Sequence, residues 1–557
     1  MDKRAFLAVI LCLLVLVLWQ AFFAPKPPPP AAKKGPAAEK VAKRAPVPKE
    51  EKVAPQASPR VDNARMAPPG LPAAAKQTSR DITVETPLYR AVFTETGGRL
   101  KSYTLKRYRE TIAKDSPGMQ LVRNQKIEEL PLAFNFLSHP VAALNLAHFS
   151  ADQTTLKISE EGKPKKLTFT YEAPGWLRIV REYLFHPDSY LIELNIAVTN
   201  LGSQPWEDSP TLSLVNVPFS EKAGRYSFQG PALLVDNKLD EIKVKKIEGE
   251  KVIPGPVEWV AYTNQYFIMA VVPQEQAPNH ALLKILEPAT HMVESTFVGP
   301  KSLIQPGASK SFHYTLYMGP KDVKTLKAAN LKLEKAVNFG WFDVIAQPLL
   351  VCLKFFNRFT HNYGVAIILL TILIKVLFWP LTRKSYESMQ AMKKLQPKMA
   401  KIREKYKDDK ERMNQEIMQL YRTHKVNPLG GCLPMVLQIP VFFALYRVLY
   451  SSIALRHAPF MLWINDLSAP DRLNIGFQIP YLGGLPVLTL LMGVSMFVQQ
   501  KMTPTTGDPR QEKMMLMMPV VFTFLFVNFP SGLVLYWLVN NILQIGQQYF
   551  INKKAQT

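Results

Sequence analysis

The feature that most constrains this chain is a long apolar run that contains a single charged side chain. The run reads Val365-Ala-Ile-Ile-Leu-Leu-Thr-Ile-Leu-Ile-Lys-Val-Leu-Phe-Trp-Pro380, and its charge is Lys375. Its length and composition predict part of a membrane-spanning helix. A lysine near the middle of a bilayer costs about 2.5 to 3.5 kcal/mol on insertion scales, so such residues usually face protein or a wet cavity. Lys375 is therefore the first candidate functional residue.

A second interpretation of Lys375 is structural. The lysine lies past the midpoint of its run, so its ammonium could snorkel toward the polar end at Thr382-Arg383-Lys384. Arg383 is separated from it by about 12 Å of helix at 1.5 Å per residue. A lysine stem does not comfortably cover that distance, so the pattern favours a cavity inside the protein.

Composition divides the chain into a soluble part and a membrane part. The chain has 557 residues, 47% of them apolar, and a formal net charge of +24. Charge and proline crowd the first half, whereas long apolar runs crowd the last 200 residues. Because no nucleic-acid motif accompanies the charge, DNA is not an expected partner, and anionic lipid, a ribosome or a translocating chain fits better. The cysteines Cys12, Cys352 and Cys432 support neither a disulfide framework nor a zinc site.

The N-terminus predicts an uncleaved signal anchor followed by a linker. Residues 5–24 are largely apolar and long enough to cross a hydrocarbon core of about 30 Å. Cleavage after Ala24 would place Phe22 at the −3 position and Pro25 directly after the cut, which fits the small-residue rule badly. Residues 25–80 contain thirteen prolines with many alanines and lysines, a composition typical of a disordered tether.

From residue 81 to 320 the pattern changes to short alternating strands separated by turn residues. Leu167–Tyr171 and Ile192–Val198 each place their apolar side chains on one face of a strand. We therefore expect one all-β domain of sandwich type. Its histidines are scattered without metal-ligand spacing, so no metal site is expected.

The rest of the chain predicts a helical membrane core. Residues 321–360 provide connecting helices, and apolar positions 341, 344, 345, 349, 352, 353 and 356 indicate an amphipathic helix in the membrane interface. Five candidate spans follow, which make six with the N-terminal anchor. They are roughly 362–382, 431–450, 481–500, 514–528 and 532–551.

Charge in the short connections predicts the orientation of these spans. Residues 383–425 hold thirteen Lys or Arg against six Asp or Glu, whereas residues 453–480 hold two Arg and two Asp. By the positive-inside rule the first connection is cytoplasmic and the second is outside. Both termini are then cytoplasmic, and the β domain is exported.

The basic connection 383–425 predicts an antiparallel helical hairpin. Apolar residues recur at spacings of three and four on both sides of Asp408-Asp409, which interrupts the pattern. Pro397 should kink or restart the first helix. The basic face could bind ribosomal RNA, anionic headgroups or acidic chain segments, or it could simply be solvated. Its residues are Lys393, Lys394, Lys398, Lys401 and Arg403.

Other polar residues occur in the apolar runs, both in the run that contains Lys375 and in later ones. Thr371 lies one turn before Lys375 on the same helix face, Gln438 is a polar point in the next span, and Asn541 interrupts the last span. Such side chains from several helices indicate a hydrated groove, or they hydrogen-bond the helices together. The last two spans are short, which would thin the bilayer locally.

Catalysis and cofactor binding find little support in the sequence. Ser531 has no histidine in the last two spans to act as its base, and Pro530-Ser-Gly532 is better explained as a turn. A phosphate-binding Walker sequence is also missing. We expect no catalytic residue, no metal and no cofactor.

Two alternative functions stay open. One is a solute or ion transporter, which should contain inverted repeats. The other is an exported carbohydrate-active enzyme, which should have a cleft with paired acid and base groups.

Three groups of motifs closely resemble the YidC family of membrane-protein insertases. They are Asn427-Pro-Leu-Gly-Gly-Cys-Leu-Pro434, Pro380-Leu-Thr382 with Leu395-Gln-Pro-Lys398, and Phe529-Pro-Ser-Gly-Leu-Val-Leu-Tyr536. The likeness covers the C-terminal half, and the anchor with the β domain matches the Gram-negative form. The resemblance implies six transmembrane helices, five of them forming the insertase core, and an all-β periplasmic β-supersandwich of galactose-mutarotase type.

The expected organisation combines the patterns with the resemblance. It comprises a signal anchor (1–24), a linker (25–80), the β domain (81–320), connecting and interfacial helices (321–360), a five-helix core (361–552) with its hairpin (383–425), and a short tail (553–557).

The resemblance also implies a function and a site. The chain would insert, fold and assemble integral membrane proteins through a hydrophilic groove that opens to the cytoplasm and the lipid. The groove's one positive charge would be Lys375, where bacterial members typically carry arginine; lysine keeps the charge but loses the planar fork. Thr371, Gln438 and Trp537 would line the groove or contact clients, and the polar pattern adds Asn541.

The partners and location follow from the same resemblance. The partners would be nascent membrane-protein clients, the Sec translocon (SecYEG, SecDF) and anionic lipids, in the bacterial inner membrane. Some family members contact the ribosome through a long basic tail. Only Lys553 and Lys554 follow the last predicted span here, which weakens that contact.

Overall fold

A computed structural model describes residues 79–554 apart from Gln125, 220–227, Gln276, Lys425, 427–432, Gln478, Tyr481 and 504–508. Several predictions made above therefore lie outside the described residues. These are the signal anchor, nearly all of the linker, Cys12, Cys432 and most of the motif that begins at Asn427. The described chain consists of a β part up to Pro320 and a helical part from Val323 onward.

Strands of the β part form because buried and exposed side chains alternate along them. In the strand Leu177–Phe185 every second side chain is buried, which is the period of a sheet with one face on a core. The strands are β1 (Asp81–Glu85), β2 (Tyr89–Thr94), β3 (Arg99–Arg109), β4 (Gly118–Val122), β5 (Ala133–Phe136), β6 (Ser150–Ala151), β7 (Thr155–Lys157), β8 (Lys165–Ala173), β9 (Leu177–Phe185), β10 (Leu191–Asn200), β11 (Trp206–Asp208), β12 (Pro210–Asn216), β13 (Gly230–Val235), β14 (Lys238–Glu241), β15 (Glu250–Ile253), β16 (Val257–Thr263), β17 (Phe267–Pro273), β18 (His280–Glu287), β19 (Met292–Val298), β20 (Ser302–Ile304) and β21 (Ser309–Pro320).

These strands assemble into one large sheet and three smaller ones. The large sheet has the order β14-β13-β16-β17-β21-β10-β9-β8-β6, and two five-stranded sheets have the orders β4-β3-β2-β1-β7 and β15-β18-β19-β12-β5. Strands β11 and β20 pair separately. One hydrophobic core, which includes Phe93, Tyr183 and Trp259, joins the sheets. The predicted all-β domain is confirmed.

The helical part is built on one long apolar helix. The helices are α1 (Val323–Ala328), α2 (Asp343–Thr360), α3 (Tyr363–Lys405), α4 (Lys410–Thr423), α5 (Leu433–Ser451), α6 (Val487–Met502), α7 (Pro509–Phe526) and α8 (Ser531–Lys554). Among the described residues, α3 is the helix long and apolar enough to cross a membrane, while α6 and Met514–Phe526 are shorter apolar helices. The number of spans stays a prediction.

Helix α3 continues beyond the apolar run into the basic connection. It passes through Pro380 and Pro397 without restarting. Helix α4 begins after a turn that contains Asp408-Asp409, and the Asp409 side chain caps it by accepting the Arg412 N–H at 3.0 Å. Leu395 and Met399 of α3 are buried with Tyr421 of α4. This apolar contact holds the two helices together beyond Pro397.

The membrane core is formed where α3, α5, α6 and α8 meet. Ile367, Leu445, Met492 and Leu533, one from each helix, are fully buried in a common cluster. Helix α7 packs closely on α6 because Gly493 leaves room: a Cβ there would lie 2.2 Å from Thr523 Oγ1. Small residues at such contacts are how membrane helices approach one another.

Helix α2 has apolar side chains on two faces, which the sequence pattern did not separate. Most of its predicted stripe, such as Ile345 and Leu353, packs against the helical core. An exposed row lies outside this contact; it includes Val351 and Phe355 and also Val344 of the predicted stripe. The stripe predicted for the membrane interface is thus largely a protein contact, and the exposed row is the face free to meet lipid.

Candidate functional site

Lys375 contacts helix α8 where α3 and α8 pack together. Its side chain is half-buried, and its Nζ donates a hydrogen bond to Gln544 Oε1 at 3.0 Å. Within the described part of the chain no carboxylate lies at ion-pair distance from this ammonium, so its partner is a neutral amide. A polar partner inside the core supports the interpretation that Lys375 faces protein.

Gln544 belongs to a polar stripe on α8. At 100° per residue, its amide side chains fall within about 120° of the helix surface. All but Gln544 are buried, with exposed fractions of 6% or less. The stripe consists of Asn540, Asn541, Gln544, Gln547 and Gln548.

Two members of the stripe fix α8 to α6. Asn541 Nδ2 donates to Ser495 Oγ at 3.0 Å, and Gln548 Nε2 donates to the Met502 carbonyl at 2.6 Å. Among the described residues, Gln547 Nε2 and Gln548 Oε1 are buried without a hydrogen-bond partner. The stripe therefore holds two helices together and also retains unused hydrogen-bonding capacity.

Two other residues predicted for the groove have hydrogen-bonding neighbours other than Lys375. Thr371 is 1% exposed, and its hydroxyl donates to the Ile367 carbonyl of its own helix at 2.7 Å. Gln438 is half-buried and lies beside the buried hydroxyl of Tyr536. Neither forms a hydrogen bond to the Lys375 ammonium within the described residues.

Trp537 lies in an aromatic cluster. Its ring centroid is 4.7 Å from that of Phe442, 5.2 Å from Phe526 and 6.1 Å from Phe522. The indole is half-buried. Offset and edge-on ring contacts of this kind stabilise the packing of α5, α7 and α8 against each other.

The predicted basic face of the hairpin follows the solvent side of α3. Lys393, Lys394 and Lys401 are exposed. Lys398 is also exposed, and its Nζ lies 3.1 Å from Nε2 of His424 on α4. Arg403 is half-buried. Lys393, Lys394 and Lys401 thus face solvent, whereas Lys398 and Arg403 flank the apolar contact that joins the two helices.

Sequence reasoning missed Gln544, which is the residue that contacts Lys375. It also missed Ser495 and Tyr386, whose buried hydroxyl lies beside the Gln544 amide. A signal was present: Asn541, Gln544 and Gln548 recur at helical spacing in an otherwise apolar segment. Such a row predicts a polar face but not its partner helix.

Comparison with known proteins identifies relatives along the whole chain. A family model described as the YidC periplasmic domain matches residues 81–352, and one described as 60Kd inner membrane protein matches residues 355–557. Membrane protein insertase YidC of Syntrophobacter fumaroxidans is 46% identical over 558 residues and covers 100% of both chains. Its counterpart in Syntrophus aciditrophicus is 45% identical over 560 residues, again covering 100% of both.

Solved structures give weaker similarities. An active YidC insertase crystal structure with its first transmembrane domain resolved is 19% identical, covers 86% of this chain and 95% of that chain, and has a TM-score of 0.36. A galactose mutarotase related enzyme from Lactobacillus acidophilus is 11% identical, covers 43% of this chain and 97% of that chain, and has a TM-score of 0.32. Both scores are too low for individual elements to be compared.

The boundary between the two family models falls inside α2. The periplasmic model covers the β part and continues to residue 352, and the inner-membrane model, from residue 355, covers the long apolar helix and all described helices after it. The β part is therefore a periplasmic domain, and the helical part is the core of an inner-membrane protein. With full-length relatives at 45% and 46% identity, this chain belongs to the YidC family of membrane protein insertases.

Proposed function

We propose that this insertase moves hydrophilic client segments past a polar region centred on Lys375, without covalent chemistry. The observation that carries the proposal is the Lys375 ammonium, which is half-buried in an apolar helix and bonded to the neutral Gln544 amide at 3.0 Å. Because the amide does not neutralise it, the charge remains available to attract an acidic client segment. Polar side chains around it lower the desolvation cost of such a segment.

The client-binding groove that we propose combines this charge with its neighbours. Thr371, Gln438, Trp537 and Asn541 belong to the same four-helix region and are proposed to line the groove or to contact clients. Because lysine lacks the planar fork of arginine, the site would supply charge and hydration rather than bidentate recognition of a carboxylate.

The proposed topology places both termini in the cytoplasm, with six spans. Two contacts support the orientation of α3: Asn362 at its start donates to the Phe460 carbonyl at 2.8 Å, and nearby Arg456 donates to the Glu110 carbonyl of the β domain at 3.1 Å. The start of α3 therefore faces the periplasmic domain, and the basic hairpin lies at the opposite end. That end would face the cytoplasm, in agreement with the positive-inside rule.

The proposed partners follow from this arrangement. Nascent membrane proteins would be the clients, delivered alone or with the Sec translocon (SecYEG, SecDF). The exposed lysines of the hairpin would contact acidic client segments or anionic lipid headgroups.

The proposed mechanism is not enzymatic. Ser531 is 1% exposed and its hydroxyl donates to the Asp466 carbonyl at 2.9 Å, which supports a structural role at the start of α8 rather than a nucleophile. In the β domain, Asp208 contacts His139 Nδ1 at 2.9 Å. The same carboxylate also accepts the N–H groups of Ser138, His139 and Ser209, so this acid–base pair is explained by loop structure.

Complementation of insertase-depleted cells tests the proposal. Two single-span clients would differ only in the exported tail, which carries two aspartates in one and two asparagines in the other, and protease accessibility would report insertion. We expect the intact chain to insert both clients. Lys375→Ala should reduce insertion of the acidic-tail client more than that of the neutral-tail client. Lys375→Arg should insert both clients as the parent does.

The matched control is Lys501→Ala, which removes an exposed cation from the end of α6. It should leave unchanged the ratio of acidic-tail to neutral-tail client insertion. Failure of the intact chain to restore insertion would contradict the proposed function. Equal insertion of the acidic-tail client by Lys375→Ala and the parent would contradict the charge mechanism.

A further inference from the structure

The contact between Lys375 and Gln544 joins two helices that are distant in sequence. The pair is separated by 169 positions, and within the described residues Gln544 Oε1 accepts the hydrogen bond that this ammonium donates. A lysine stem has four rotatable carbons and its charge prefers water. Without a partner in the core, the side chain would extend toward the polar end of its helix, as other lysines in membrane helices do.

Gln544 is presented from a fixed surface. Asn541 precedes it by nearly one turn and is held by Ser495, while Gln548 follows it by one turn and is held by the Met502 carbonyl. Both of these bonds lead to α6, so the face of α8 that carries Gln544 is fastened on either side. The side-chain oxygen of Gln544, Oε1, is therefore held at a defined depth in the core.

A neutral acceptor is well suited to hold a charge that must be released. A carboxylate at this position would form an internal ion pair and cancel the charge. An ammonium bonded to a neutral amide oxygen lacks the attraction between full opposite charges that an ammonium–carboxylate pair has, and that attraction is stronger in a core than in water. An acidic client segment that reaches the site can therefore replace the Gln544 amide, whereas a neutral segment gains nothing from doing so.

We propose that Gln544 is a positioning residue that holds the Lys375 ammonium uncancelled at a fixed depth and thereby sets a preference for clients with acidic exported segments. This inference rests on the proposed role of Lys375. In this arrangement α3 supplies the charge, and α8 controls which clients are preferred.

Gln544→Glu is the most direct test, with the same pair of acidic-tail and neutral-tail clients in insertase-depleted cells. The new carboxylate would pair with Lys375, so insertion of the acidic-tail client should fall about tenfold, as expected for the loss of a hydrogen bond to a charged group. Insertion of the neutral-tail client should be unchanged, which also demonstrates that the variant is folded. Gln544→Leu should give a smaller loss, again confined to the acidic-tail client.

Gln547→Leu is the matched control, because it removes an amide of the same stripe whose Nε2 has no hydrogen-bond partner among the described residues and which bonds neither Lys375 nor α6. It should change the insertion of both clients by the same factor. If Gln544→Glu likewise reduces both clients equally, Gln544 serves packing alone and the inference is overturned.

The remaining outcomes separate this inference from the proposed function. If Lys375→Ala loses the acidic-tail client while Gln544→Glu inserts it as well as the parent does, the positioning role is overturned and the charge mechanism stands. If Lys375→Ala inserts the acidic-tail client normally, the charge mechanism fails and the positioning role fails with it.

Discussion

At the scale of the residue, the Glu95 carboxylate binds the first residues of the β part to the rest of the domain. Its side chain is buried and accepts Arg80 Nη2 at 2.6 Å, the Arg80 N–H at 3.0 Å and the Ala151 N–H at 3.3 Å. Burial alone would raise the pKa of this carboxyl, but the bonds to Arg80 and Ala151 outweigh it and lower the pKa to about 2. The start of the described chain, at Arg80, is thereby tied to the domain.

The lowered pKa of Glu95 predicts a stability that depends on pH. The folded state binds fewer protons than the unfolded state between the ordinary value of 4.5 and about 2, so this contribution is complete above that window and is lost as pH falls through it. Glu95→Gln should lower the free energy of unfolding at pH 6, and its difference from the parent should shrink toward pH 2. Denaturant unfolding of the purified chain measures both. Glu161→Gln, at an exposed site, should show no comparable difference at any pH.

Gly364 is a second residue whose role depends on one contact. A Cβ at this position would lie 1.9 Å from Cδ2 of Phe460, so the ring rests directly on the backbone of α3. Gly364→Ala should force the ring away and lower the free energy of unfolding by about 1 to 3 kcal/mol. Gly546→Ala is the control, since nothing lies within 4 Å of its added Cβ. It should be neutral or slightly stabilising, and equal effects of the two variants would contradict the packing argument.

At the scale of the element, Asp322 connects the β domain to two helices. Its carboxylate accepts the Thr325 N–H at 3.1 Å as the N-cap of α1, and it accepts Lys354 Nζ of α2 at 2.8 Å. Burial alone would raise the pKa of Asp322, but Lys354 and the cap lower it below its ordinary value. One side chain thus sets where α1 begins and where α2 lies against it.

Two substitutions separate the roles of Asp322. Asp322→Ala removes the cap and the ion pair and should lower the free energy of unfolding by about 1 to 2 kcal/mol. Asp322→Asn keeps an oxygen for the cap and loses the charge, so its effect should be smaller. Denaturant unfolding in detergent measures both variants, with the exposed Asp240→Ala as control. A larger loss for asparagine than for alanine would contradict the capping role.

At the scale of the whole molecule, a few polar contacts fix the periplasmic domain on the membrane core. Arg456, in the connection after α5, donates to the Glu110 carbonyl at 3.1 Å, and its guanidinium carbon lies 5.4 Å from the centroid of Phe267. Gln265 donates to the Tyr450 carbonyl at the end of α5. These contacts join the end of α5 and the connection after it to the β domain.

Arg456→Ala should loosen that attachment. Distances between spin labels on the β domain and on the helical part, measured by pulsed electron paramagnetic resonance, should become more broadly distributed, because the cation–aromatic contact and one hydrogen bond are lost. Lys301→Ala is the control, since its partner Glu207, at 2.8 Å, belongs to the same domain. An unchanged distance distribution for Arg456→Ala would indicate that Gln265 and the linking helices are sufficient to hold the β domain on the helical part.

Local patterns were enough to predict the fold class and the family. The two-residue period of strands and the long apolar run around Lys375 depend only on neighbouring residues, so they can be read without knowing what each segment touches. The motif Phe529-Pro-Ser-Gly532 is also local: α7 ends at Phe526 and α8 begins at Ser531. The number of spans is less accessible, because short apolar helices such as α6 resemble buried helices in composition.

The sequence by itself therefore determined that an apolar core carries a charge, that a β domain precedes it, and that the chain is an insertase of a known family. The tertiary structure decided what the charge touches. The bond from Lys375 to Gln544 spans 169 positions, and the division of α2 into a packed and an exposed face depends on which helices lie beside it. Contacts between distant segments follow from how helices pack, and periodicity within one segment carries no information about its partner.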